Sequence, residues 1–379
     1  MATITQLPTC CFLENLPQIT IGEVASGTAA TVSVMFDGTT LLSGIAMSPD
    51  KNGRIDIYAR QMIRNMSVLA GPESADTDLP RLTVRSTGGA TTETESYIIP
   101  GGVGTDKEVT PEWFSRNFLS WQPQILEIPP SQPQWLAFIP VPPCLRYSLM
   151  SVLHSQDGRT FSKIIRAVAP GYRYVQVDTS FDTLWREFCT EKDISPLSYD
   201  VFGAKTVQEP AADESTGDKL ATYGNYPFAQ RYRLRQPRYD DRCFGFVNSL
   251  GGFDTLMMQG PETLKPEGET ETFVNGEVEQ EISNGYTSYS ETSSGYIDTE
   301  RQAAQIRDFL KSASRWIYRD GEWLRIIVDE HKVEHSPGKL NAFSFKYHLA
   351  RRNEGRYYER TTLPEPEMPT DFWHPKSIF

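Results

Sequence analysis

Between Cys243 and Met258 two apolar runs, 243–247 and 253–258, flank the polar, glycine-bearing segment Asn248-Ser-Leu-Gly-Gly252. Strand, tight loop, strand is the grammar of a β-hairpin. Gly251 and Gly252 supply backbone conformations with φ > 0 that other residues reach only at a cost. Phe253 and Asp254 open the second strand. Apart from Cys243 the stretch holds nothing reactive, so its message is architectural. A chain organised around such a unit is committed to β structure.

The same grammar recurs along the sequence. Thr31–Phe36 meets Thr39–Leu42 across Asp37-Gly38, and Arg146–His154 meets Thr160–Val168 across Ser155-Gln-Asp-Gly158. Arg315–Tyr318 meets Trp323–Val328 across Arg319-Asp-Gly-Glu322. Asp-Gly between β-rich runs is a strong hairpin signal, because a type I′ turn needs φ > 0 at both central positions. The spacing is irregular and makes no true repeat. The fold class read from this pattern is mainly β, with two or more β-sandwich-like domains, long loops and one helix in the C-terminal region. That helix is 299–313, where Thr299 can cap and Ala303, Ile306, Phe309 and Leu310 share a face. A shorter helical piece is expected near Ala59–Val68.

Composition divides the chain further. Residues 1–100 read as an N-terminal β-sandwich-like domain. Residues 101–145 hold clustered prolines and aromatics and read as an extended connector. Residues 146–227 form a central β-region whose last part, 203–227, reads as a long mobile loop. Residues 228–352 form a C-terminal β-domain with an acidic projection (261–298). Residues 353–379 are an extended tail ending in Phe372-Trp-His-Pro-Lys-Ser-Ile-Phe379, whose four aromatic or branched apolar residues, Trp373 among them, suit docking on a surface, its own or a partner's. Asn275-Gly276 and Asn284-Gly285 make the projection itself a candidate for hairpins. Of the formal net charge of −12, nine charges sit in residues 262–300. The remainder is near neutral, and the net charge argues against a general nucleic-acid binder, which would show a basic face.

The five cysteines (10, 11, 144, 189, 243) show no CxxC spacing and make neither a disulfide framework nor a zinc site. They read as buried thiols of a chain folded in a reducing cytoplasm. The first residues lack a signal-peptide pattern, and no apolar run reaches the roughly 18 residues of a membrane span, so no membrane insertion is expected. His331 and His335 would share a face only on a helix, whereas their surroundings read as strand and turn. Gly101-Gly-Val-Gly104 lacks the spacing of a phosphate loop and reads as a flexible loop. The acidic segment lacks the order of a calcium loop. No catalytic residue, metal ligand or cofactor is assigned. Arg231, Arg233 and Arg235 alternate on one strand face. They suit an acidic partner, such as the acidic segment of another copy, or simply cover apolar surface with their long stems. Trp113, Trp121, Trp135, Trp316, Trp323 and Trp373 could stack on sugars or serve as core.

The run from Tyr232-Arg-Leu-Arg through Phe244-Gly-Phe-Val-Asn-Ser-Leu-Gly-Gly-Phe-Asp-Thr255 resembles tail proteins encoded by phages and prophages of Bacteroidetes-type bacteria. So do Asp308–Tyr318, Phe36-Asp-Gly-Thr-Thr40 and Asn52-Gly-Arg-Ile-Asp56. Phe253 stands where that pattern often has Trp, and Met257-Met258 replaces an aromatic continuation. The resemblance implies a non-catalytic structural subunit of a tail or baseplate, assembled in the host bacterial cytoplasm and located in the virion. Its partners would be other copies of itself and other phage tail proteins. Arg231, Arg233, Arg235 and Trp373 are the candidate subunit contacts, and Asn248, Gly251, Gly252, Phe253 and Asp254 the structural turn. The alternative is a carbohydrate-binding adhesin or receptor-binding module that takes a host surface glycan.

Overall fold

A computed structural model of the chain describes residues 3–25, 28–64, 71–73, 76–88, 90–104, 109–114, 116–142, 146–206, 228–275, 278–297, 299–332 and 342–350. The architecture is mainly β, as the alternating runs require.

The first unit contains β1 (Thr3–Ile4), β2 (Cys10–Phe12), β3 (Ile19–Gly22), β4 (Ala30–Phe36), β5 (Thr39–Met47) and β6 (Ile55–Ile57). The short helix α1 (Ala59–Ile63), then β7 (Thr77–Asp78), β8 (Arg81–Gly88) and β9 (Ala90–Ile99) follow. A three-stranded sheet β1-β3-β6 and a five-stranded sheet β2-β9-β8-β4-β5 share one core, with Ile19, Ile21 and Ile57 meeting Val32, Val34, Leu82 and Val84. The β4–β5 turn is of the expected kind, with Asp37 at φ 48° and Gly38 at φ 75°.

Next come α2 (Pro111–Phe114), β10 (Ile125–Ile128), β11 (Trp135–Phe138), β12 (Arg146–Ser155), β13 (Thr160–Val168) and β14 (Arg173–Asp178). A single π-helical turn (Asp182–Arg186) leads into α3 (Glu187–Glu191), then β15 (Pro196–Thr206) and β16 (Phe228–Leu234). The five-stranded sheet β10-β16-β15-β12-β13 packs on the three-stranded sheet β11-β14-β7 over Phe138, Tyr147, Val175, Trp185, Tyr199 and Tyr232. Two points differ from the sequence pattern. The proline-rich stretch 101–145, read as a connector of poor regularity, supplies one strand to each sheet of this second sandwich. Strand 228–234, grouped in sequence with the hairpin after it, lies instead between β10 and β15, with Arg231 opposite both Ile125 and Asp200. Prolines bracket β10 and β11 rather than interrupt them, so both ladders survive.

The third unit has β17 (Arg242–Val247), β18 (Phe253–Met258), β19 (Glu262–Asn275), β20 (Val278–Ser293), α4 (Glu300–Lys311), β21 (Arg315–Arg319), β22 (Glu322–Lys332) and β23 (Ser344–Leu349). They form a seven-stranded sheet, β18-β17-β21-β22-β23-β20-β19. Helix α4 is capped by Thr299, whose hydroxyl accepts from the Gln302 amide at 3.3 Å. Its apolar face (Ala303, Ile306, Phe309, Leu310) lies on Phe244, Phe246, Phe345 and Tyr347 of the sheet. Phe244 meets Phe309, Phe345 and Tyr347 edge to face. The acidic stretch is one long hairpin. Asn284-Gly285 lies inside β20, paired with Thr270 and Glu269, and makes no turn. At about 3.3 Å per residue, β19 spans roughly 45 Å. The hairpin is tied at its base by Glu262, which takes Arg242 at 2.8 Å, Arg319 at 3.1 Å and the Tyr347 hydroxyl. Burial works to raise the Glu262 carboxyl, but Tyr347 and the two arginines overrule it and hold it below the usual range. Among the described residues no helix is long and apolar enough to cross a membrane.

Candidate functional site

The most built-up place in the molecule is the turn of the 243–258 hairpin. Asn248 closes it through backbone bonds from its own amide to the Gly252 carbonyl (2.8 Å) and from the Gly251 amide to its own carbonyl (3.0 Å). Its side-chain Oδ1 accepts from the amides of Leu250 (2.9 Å) and Gly252 (3.0 Å), and Nδ2 donates to the Leu119 carbonyl at 2.8 Å. An Asx side chain in this role replaces turn bonds that the backbone alone would leave open. Gly251 has φ 77°, as a left-handed turn position demands. Gly252 is needed for a different reason from the one its pairing with Gly251 suggests. A Cβ there would lie 1.9 Å from the Leu119 carbonyl oxygen, and one on Gly251 would lie 2.0 Å from that of Pro100.

Those contacts place the turn at a meeting of all three units. Leu250 and Phe253 share a core with Cys10, Phe12 and Ile99 of the first unit, Phe114 and Leu119 of the connecting stretch, and Ala137 and Tyr174 of the second. The Gly101–Gly104 loop is part of this weld. The Gly102 amide donates to the Ser249 carbonyl at 2.7 Å, and the Gly101 carbonyl accepts from Glu14 at 3.0 Å. Phe253 lies between Trp316 and Trp323, edge to face at 5.6 and 5.4 Å. Gly245 makes room for it, since a Cβ there would fall 2.4 Å from the Phe253 ring.

Strand β18 is the edge of its sheet, yet it is almost wholly buried. A polar seam covers it. Thr255 donates through its hydroxyl to Gln134 Oε1 (2.8 Å), the Gln122 amide reaches Gln134 Oε1 at 3.3 Å, and Gln305 of α4 donates to the Thr255 carbonyl at 3.1 Å. Asp254 is fully buried, and its Oδ2 accepts from the Trp121 amide at 3.0 Å while Oδ1 has no partner. Burial pushes this carboxyl up to about 6, against the pull of Ser120, Trp121 and Asn248 and with a push from Asp308. Asp308 is itself raised by burial, and accepts from the Ser249 amide at 2.9 Å. Sequence reasoning placed Asn248, Gly251, Gly252, Phe253 and Asp254 in the turn, but missed Gly101, Trp121, Gln122, Gln134 and Gln305. The available signal was the four glutamines, 122, 124, 132 and 134, among the prolines of a segment otherwise rich in apolar groups; 122, 132 and 134 are buried, whereas 124 is exposed.

The candidate contact residues fare differently. Arg231 is bound by Asp200 through two bonds of 2.6 Å, and Asp200 also meets His154 Nε2 at 3.0 Å. Arg235 pairs with Asp241 through two bonds of 2.7 Å, both side chains largely buried. Both arginines are thus paired with acids of their own chain. Arg233 is exposed, and Trp373 lies outside the described residues. Of the other tryptophans weighed as sugar platforms, Trp113, Trp135, Trp316 and Trp323 pack against the junction core, and Trp121 donates Nε1 to Ser249 Oγ at 2.7 Å. His331 sits in β22 opposite Phe345, in strand rather than helix geometry, and His335 lies outside the described residues. Among the described residues no group of three or more His, Cys, Asp or Glu could hold a metal.

Chemically, the junction binds itself. Cys10, Cys11 and Cys243 are buried and free, and burial raises their thiols, Cys11 to about 11, so little of the nucleophilic thiolate forms. No protein-family model matches the chain, and no curated protein matches it.

Proposed function

We propose that this chain is a structural subunit of a bacteriophage tail or baseplate, assembling with copies of itself and with neighbouring tail proteins and without a catalytic role. The observation that carries this reading is the hairpin of β19 and β20. It extends roughly 45 Å along β19 at ordinary strand spacing, and it presents Leu264, Phe273, Val274 and Val278 exposed. A long two-stranded arm with apolar residues exposed near its turn gains little for its own chain, and such exposed groups mark contact sites. The buried junction supports the same reading, because it makes three β units into a stiff base for the arm. The resemblance of 232–255 and 308–318 to phage tail proteins supplies the biological setting.

Electron microscopy and sedimentation of the purified chain test this. The expected result is a closed ring or trimer at micromolar concentration, lost when 264–291 is replaced by a short turn while the thermal midpoint of the body is kept. A compact monomer at every concentration, both alone and with candidate tail proteins, overturns it.

A further inference from the structure

Away from the junction, the second sandwich carries a hollow of about 380 Å³ between strand β13 and the helical segment 182–191. That size falls within the range of small-molecule sites. Thr160, Phe161, Ser162 and Lys163 line it from β13, and Trp185 and Phe188 from the π-helical turn and α3. Phe161 and Lys163 are two residues apart on a strand, so they project from one face. Trp185 is buried, and its Nε1 is fixed by donating to Ser151 Oγ at 2.9 Å. Phe188 meets Trp185 at 5.6 Å and Phe161 at 5.1 Å, edge to face in both pairs. Lys163 lies among these rings, with Nζ 4.7 Å from the Trp185 ring centre and donating to the Leu184 carbonyl. That carbonyl belongs to the π-helical turn, a feature that recurs at functional sites. None of the six tryptophans weighed from the sequence lines this hollow.

The Lys163 ammonium is poorly served there. Burial holds it below the usual lysine range, the Cys189 thiol works against that, and no carboxylate among the described residues pairs with it. A charge drawn out of water in this way gains strongly from an anion placed beside it. The rest of the lining selects what carries the anion. Three aromatic rings offer apolar surface, while Thr160 and Ser162 offer hydroxyls. A pyranose ring divides in the same way, with C–H groups on its faces and hydroxyls around its rim. We propose that this hollow binds an acidic sugar of the uronic acid class, with its carboxylate on Lys163 and its ring against Phe161 and Phe188. The site does not depend on whether the chain is a tail subunit.

Ligand-observed NMR titration of the full chain tests this, with glucuronate, glucose and benzoate as the probes. Glucuronate should bind, and glucose should bind at least about tenfold more weakly, since it lacks the charge-assisted bond. Lys163→Gln should lower the glucuronate affinity by a similar factor while the thermal midpoint stays within a few degrees of the native value. No binding of glucuronate overturns the proposal, and equal binding of glucose overturns the role of Lys163. Benzoate binding as tightly as glucuronate overturns the sugar assignment, because the hydroxyls would then contribute nothing. A second measurement needs no variant. Glucuronate should slow acetylation of Lys163 by an N-hydroxysuccinimide ester, read by mass spectrometry, and leave the exposed Lys51 and Lys192 unaffected. Equal acetylation of Lys163 with and without glucuronate overturns the location.

Discussion

At the scale of single residues, Asp254 is the most consequential side chain. Its carboxyl titrates near 6 in the folded chain and near 3.8 when exposed. The folded state therefore holds its proton more tightly. The stabilisation this gives is complete below about pH 4 and is lost as the pH rises through 6, a cost at neutral pH of roughly 3 kcal/mol. Asp254→Asn keeps an acceptor for the Trp121 amide and removes the ionisation. Its stability relative to the native chain should be greater at pH 7.5 than at pH 4.5, as read from denaturant midpoints at the two pH values. The glycines act by space. Gly252→Val should cost more than about 4 kcal/mol, because the Leu119 carbonyl is backbone and cannot swing aside. Gly245→Ala meets ring atoms of Phe253 and Trp323 and should cost less, about 1–3 kcal/mol of overpacking, in the same unfolding measurement. The need for glycine at 251 was legible as turn chemistry. The needs at 252 and 245 were not, since they arise from atoms more than 100 residues away in one case and from a ring across the sheet in the other.

At the scale of elements, local chemistry was a good guide wherever an element is held by its own neighbours. Thr299 caps α4 as its spacing suggested, and Thr299→Ala should lower the unfolding free energy by about 1 kcal/mol, measured by chemical denaturation. Asp37-Gly38 and Asp320-Gly321 both adopt positive φ at each central residue. At Ser155–Arg159 only Gly158 does, because Ser155 and Asp157 bond within a wider turn. Asn284-Gly285 shows the limit of the same reasoning. A two-residue turn there would break a ladder that runs from Glu262 to Asn275 with a single register shift after Glu271, and that pairing wins. The prolines of 123–143 likewise argued for irregularity, whereas β10 and β11 fit between them and receive their partners from β16 and β14.

At the scale of the whole molecule, what the sequence hid was the junction. Its parts (Gly101, Leu119, Trp121, Gln134, Tyr174 and the Asn248 turn) are far apart in the chain and carry no periodic signature, so only the folded arrangement brings them together. The consequence for stability is that the three units should melt together. Calorimetry should give one peak whose direct and van't Hoff enthalpies agree, while two resolved peaks would show the junction to be a loose contact. The dependence of Pro100, Gly101 and Leu119 on the turn at Gly251 also has a temporal side. A ribosome delivers the first unit well before the turn that closes against it. With about 150 residues still to be made at 5–20 residues per second, the apolar surface of Phe12, Ile99 and Leu119 waits roughly eight to thirty seconds for its cover from the turn. During that interval the nascent chain offers a binding site for a chaperone, or for the finished hairpin of another molecule emerging from the same message.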